Sequence, residues 1–128
     1  MKLIIASGPV IVENNAVLLS KHGDDLFWKF PGGSLENFEE NLREGAARKV
    51  KEEVGIDIAF EEREPFLMHV TKTKDGTTID VILVHFIARR TGEIVKGNIR
   101  EYAWIPLDNL PEDIAPNIKP ALQFFKFI

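Results

Sequence analysis

The chain contains no cysteine, which rules out disulfide support and a thiolate nucleophile and fits a reducing compartment. It has no long apolar run. The longest such stretch, IDVILVHFIA at 79–88, carries Asp80 and His85 and is about half the length a spanning helix requires. At the amino end, uninterrupted apolar residues extend only from Leu3 to Ala6, too few for the apolar region of a signal peptide. A soluble, cytoplasmic protein without a membrane segment is therefore expected. Clusters of Lys and Arg are also missing, and the formal charge is −4, so affinity for duplex nucleic acid through phosphate neutralisation is not expected. An anionic ligand would need a cation to mediate. Neither a Gly-x-x-x-x-Gly-Lys-Ser/Thr phosphate loop nor a Gly-x-Ser-x-Gly elbow occurs, and no repeat or linker interrupts the chain.

What is present fits one domain spanning residues 1–128. LIIASGPVIVE and AVLLSKH flank Asn14-Asn15, residues suited to a tight turn, which predicts an antiparallel hairpin. DLFWKF reads as a short aromatic strand leading into Pro31-Gly32-Gly33. From Asn41 to Val54 the apolar positions Leu42, Ala46, Val50 and Val54, with Ala47, recur at helical spacing. Asn41 with Glu44 has the form of a capping box that starts this helix near residue 42, and Gly55 ends it. IDIAFEE, PFLMHVTKT and TTIDVILVHFIAR read as strands, the last two joined at Asp75-Gly76. REYAWIPL is a further strand, DNLPED a turn, and IKPALQFFKFI a terminal helix with Pro120 in its first turn. Many strands with one or two helices predict an α+β fold, a mixed sheet covered by helices.

The segment PGGSLENFEENLREGAARKVKEEVGI places two adjacent glutamates at a helix end, where the backbone dipole disfavours anions. Gly33, Glu39 or Glu40, Arg48, Val50, Glu52, Glu53, Gly55 and Ile56 together resemble the Nudix box. The flanking WKFPGG and EYAWIPLDNL segments resemble the same family. The resemblance implies an α/β/α sandwich in which a mixed sheet is flanked by the box helix and a C-terminal helix. It also implies hydrolysis of a diphosphate bond in a small nucleotide, assisted by Mg²⁺ or Mn²⁺, in a monomer or homodimer. On this reading Glu52 and Glu53 carry metal, the Gly32 carbonyl completes the set, and the carboxylates work because a cation stands between them and the substrate anion. Gly33 and Gly55 are structural.

Two departures qualify the resemblance. Five residues separate Gly33 from Glu39 and seven separate Glu40 from Arg48, both family intervals, so one residue is extra. With the helix start fixed at Asn41, the insertion falls in the loop 34–39, and Glu40 becomes the structural partner of Arg48. The second departure is Lys49, which stands where the family commonly has a metal-binding glutamate. Lys49 could compete for Glu53, reduce the number of metals, hold a substrate phosphate, or leave a nucleotide-binding module without catalysis. Glu36 is a candidate substitute ligand, and Glu101, at a strand start, a candidate metal ligand or base. Phe27 and Trp28 could stack on a base or join the core. Arg48 could also reach substrate. Asn117 could read a base edge, although a helix cap is the plainer expectation. His22, His69 and His85 read as one loop residue and two strand residues, and FFKF as packing for the last helix.

Overall fold

The computed structural model describes residues 2–37, 40–95, 97 and 101–128. Phe38 and Glu39 lie outside these residues, so the expectation attached to Glu39 has no structural counterpart. The elements run β1 (Lys2–Val10), β2 (Val12–Glu13), β3 (Ala16–Lys21), β4 (Gly33–Ser34), α1 (Leu42–Val54), β5 (Ile58–Phe60), β6 (Phe66–Lys74), β7 (Thr77–Arg90), β8 (Glu101–Pro106) and α2 (Ile118–Phe124). They form two sheets. In the first, β7 pairs in parallel with β1 and antiparallel with β6 and β5, and β4 extends the β1 side. The second is β2-β3-β8, antiparallel throughout.

Alternation within the strands explains the layers. Val10, Val17 and Leu19 face one core with Phe30, Ile118, Ala121, Leu122 and Phe125 of the α2 side. Their neighbours Ile11 and Leu18 face a second core with Val50 and Val54 of α1, together with Ile56 and Ala88. Successive side chains of a strand point to opposite faces, so these strands are covered by a helix on each side. The mixed-sheet α+β sandwich expected from the sequence is borne out.

Two expectations about strands fail. The stretch before Asn14 does not fold back as one long hairpin arm, because only Val12–Glu13 pairs with β3. The chain leaves its first sheet at Ile11, and β1 takes β7 as its partner from Lys2↔Ile79 to Val10↔Ile87. The turn itself is as expected, with Asn14 and Asn15 at φ 50 and 62. DLFWKF is not a strand. Its pairing is confined to bridges from Lys29 to Ser20 and from Trp28 to Ile114, while Leu26 and Phe27 are 77% and 48% exposed. The stretch lacks the period-two burial a strand needs, and Phe27 is not core.

The box helix forms for the reasons its sequence suggests. Asn41 accepts the Glu44 amide at 2.9 Å, and its own amide group donates to the Glu44 carboxylate at 2.9 Å. Gly55 adopts φ 71 and donates its N–H to the Lys51 carbonyl. Asp75 and Gly76, at φ 53 and 77, close the β6–β7 hairpin.

Candidate active site

Pro31-Gly32-Gly33 crosses β1 at close range. Gly32 has φ 140, and a Cβ there would overlap the Ser7 carbonyl oxygen; a Cβ on Gly8 would overlap that of Pro31. Gly33 and Ser34 then pair with Ser7 and Ala6. Only glycine allows two backbones this close with the loop in this conformation. As a result the Gly32 N–H points at the box helix and donates to Glu53 Oε2 at 3.1 Å.

Glu53 is 8% exposed. Burial pushes its carboxyl up to about 7, opposed by the Gly32 N–H and the Lys49 charge and reinforced by the fields of Glu52 and Asp25. Its backbone is also held, since the Gly97 N–H donates to the Glu53 carbonyl at 2.7 Å and the Val95 N–H to the Val54 carbonyl at 2.9 Å. These bonds satisfy carbonyls at the helix end that would otherwise lack partners.

Around Glu53 lies a charge network. Arg48 forms a fork on Glu40, with Nε to Oε2 at 2.8 Å and a terminal nitrogen to Oε1 at 3.0 Å, and reaches Glu52 at 3.0 Å and Glu36 at 3.6 Å. This fork holds the Glu40 carboxyl below its ordinary range. Its guanidinium thus contacts three glutamates and ties the loop to α1. Lys49 bonds to Glu36 at 2.8 Å and lies 3.9 Å from Glu52, while its stem passes over Gly33. The described partners of Lys49 are thus Glu36 and Glu52. Glu53 turns toward the Gly32 amide, and the Lys49 charge acts on that carboxylate through its field.

Other candidates are spread more widely. Glu101 begins β8 opposite Lys21, whose ammonium lies 4.0 Å from it and 3.5 Å from Asp113. The same ammonium sits 4.7 Å over the Trp28 ring, which also packs against the α2-side core. Asn117 occupies the cap position of α2, but its side chain makes no capping bond. Instead its amide nitrogen lies 2.8 Å from His85 Nε2, and His85 Nδ1 lies 3.0 Å from the Gly8 carbonyl. Burial lowers the His85 imidazole to about 4, so at neutral pH it is uncharged, donating from Nδ1 to Gly8 and accepting from Asn117.

Sequence reasoning named Asn117 and His85 separately but did not foresee their contact, and it did not single out Asp25. A histidine within the apolar run of β7 was the available signal for the first. For Asp25 it was the acidic pair Asp24-Asp25 just before an exposed aromatic.

A carboxylate desolvated to this degree is a good position for a cation, and Glu52 is adjacent. Among the described residues, however, no group of three or more His, Cys, Asp or Glu side chains converges as a metal cage. The donor set suits a hard ion such as Mg²⁺, which retains several waters and takes further oxygens from substrate phosphates.

The NUDIX domain family model matches residues 2–125. The chain belongs to the Nudix family. A MutT-like protein of Streptomyces ambofaciens is 27% identical over 114 residues, 88% of this chain and 69% of that protein. An 8-oxo-dGTP diphosphatase of Proteus vulgaris is 38% identical over 61 residues, 44% of this chain and 54% of that enzyme. A Nudix hydrolase structure from Nitrosomonas europaea superposes with a TM-score of 0.79 at 20% identity, covering 98% of this chain and 89% of the other. The MutT Nudix hydrolase of Burkholderia pseudomallei gives 0.75 at 23%, covering 96% and 98%. These structures share the Nudix fold with the present chain. Among the described residues no helix is long and apolar enough to cross a membrane.

Proposed function

We propose that this Nudix protein hydrolyses the diphosphate linkage of a nucleoside triphosphate or a related small nucleotide. The observation that carries the reading is Glu53: a buried carboxylate, its pKa raised to about 7, fixed by the Gly32 amide and by the bonded helix end. Such a group is desolvated without a counter-charge, and a divalent cation beside it relieves that cost. Glu53 and Glu52, with the Gly32 carbonyl, would hold Mg²⁺ or Mn²⁺, which when bound supplies neutralisation of the diphosphate and acidification of water. Glu101 from β8, or Glu53 where the ion leaves it free, would accept the proton of the attacking water as its oxygen adds to phosphorus and the bridging P–O bond breaks. Arg48 and Glu40 keep the loop against α1. The exposed Phe27 offers the better face for a base, since Trp28 already carries Lys21. Sequence similarity to an 8-oxo-dGTP diphosphatase supports nucleotides as the substrate class.

A second reading is a nucleotide-binding module on the same fold. It is favoured by Lys49, whose pairs with Glu36 and Glu52 occupy two carboxylates that catalysis would otherwise use. Phosphate release from a panel of nucleoside triphosphates, including oxidised guanine nucleotides, separates the two. Release that requires Mg²⁺ or Mn²⁺ and falls at least about 100-fold in Glu53→Gln supports the enzyme. Nucleotide binding without turnover, indifferent to chelator, supports the module.

A further inference from the structure

We infer that Lys49 is a built-in cation of this site, standing in the ground between Glu36 and Glu52 so that the protein takes one divalent ion rather than two. The inference deepens the hydrolase reading and rests on it. At the junction of the loop and α1, Arg48 and Lys49 link Glu36, Glu40 and Glu52 by ion pairs, and the fields of Lys49 and Glu52 reach Glu53, so four glutamates stand against two cations. When all are ionised the balance is four minus two, a net charge of −2, which one divalent ion cancels.

The distribution of the pairs says which acids remain open to that ion. Arg48 takes Glu40, and Arg48 and Lys49 together share Glu36 and Glu52, although Glu52, with about four lone-pair sites for two contacts, can still add to the ion held at Glu53. Glu53 makes no described ion pair; its described partner is the Gly32 N–H. Asp25, whose field also reaches Glu53, is paired with Lys29 at 3.0 Å. Lys49 is not a loose surface chain. Its stem packs on Gly33, where Cδ and Cε lie 3.5 Å from the place a Cβ would occupy, and Glu36 holds its head at 2.8 Å. A second divalent ion between Glu36 and Glu52 would have to displace an ammonium already held there by both.

The test counts Mn²⁺ bound per chain, from the loss of the free-ion electron paramagnetic resonance signal, in the full protein without nucleotide. The wild type is expected to bind one ion. Lys49→Glu, which exchanges the ammonium for a ligand, is expected to bind a second. Lys49→Met, which removes the charge and leaves Glu36 and Glu52 to a cation, is expected to bind its first ion on the order of tenfold tighter. Circular dichroism melts establish that each variant is folded, and the Met variant keeps the test decisive if the Glu variant is not. Two ions in the wild type, an unchanged count in folded Lys49→Glu, or unchanged affinity in Lys49→Met overturns the inference and leaves the hydrolase reading standing. No Mn²⁺ bound by any of the three proteins overturns it as well, and together with absent turnover removes the hydrolase reading too.

Discussion

Replacing Glu53 by Gln should make the metal-free protein more stable, and the gain should appear only as the pH rises. In the folded chain this carboxyl titrates at about 7, against an ordinary 4.5, chiefly because it is buried. A carboxyl raised by folding holds its proton more tightly in the native state than in the unfolded one. Its stability contribution is therefore fully present below about pH 4.5, is lost as pH rises toward 7, and is flat above. At about 1.4 kcal/mol per pH unit, the loss is roughly 3 kcal/mol at pH 8 and less than about 1 kcal/mol at pH 5. Gln resembles the protonated acid in size and can still accept the Gly32 N–H. In chelator at pH 8 the variant should therefore melt on the order of 10 °C above the wild type, and at pH 5 within a few degrees of it. Saturating Mg²⁺ or Mn²⁺ should then raise the wild type and leave the variant nearly unmoved. Coincident melts at pH 8, or a variant that is less stable at both pH values, would refute the claim that Glu53 is held in the fold at a cost that a cation relieves.

Three further perturbations follow from the same geometry. Asn117→Ala leaves the buried His85 Nε2 without its described donor, and chemical denaturation should show a loss of about 1–3 kcal/mol, with Asn117→Asp no better. Gly32→Ala forces a side chain onto Ser7 at φ 140, which should cost about 2–4 kcal/mol by denaturant titration; any folded fraction should show the Glu53 titration moved still higher, because the Gly32 N–H is withdrawn. Arg48→Lys keeps the charge but loses the two-pronged contact with Glu40, so the melting temperature should fall nearly as far as in Arg48→Ala; full rescue by Lys would show that charge alone matters there.

What the sequence made legible was local. Asn41 with Glu44, Gly55, Asn14-Asn15 and Asp75-Gly76 each carry their conformation in their own chemistry, and the helix, its ends and both turns stand where these residues indicate. Long-range pairings were not legible. Nothing near β1 announces that its partner is β7, and a turn at Asn14-Asn15 invites the assumption that the whole preceding stretch folds back on β3. DLFWKF has the composition of a strand, yet it makes contact by single bridges on each side and exposes its middle. Family resemblance marked Glu53 and Lys49, but not the direction in which each turns. That is set by Gly32 pressing on Ser7 and by Glu36, which sits in a loop thirteen residues from Lys49. His85 and Asn117 meet across 32 positions, a distance no motif spans.

Glu53 is gripped twice, by its carboxylate through Gly32 and by its carbonyl through Gly97. The two grips come from either side of Glu53 in sequence, one from the turn before α1 and the other from Gly97, beyond β7. A shift in either tether is delivered to a single acidic side chain, much as two guy ropes set the angle of one mast. Displacing the Gly97 amide should therefore be felt at the Glu53 carboxylate, although the two belong to separate segments of the chain.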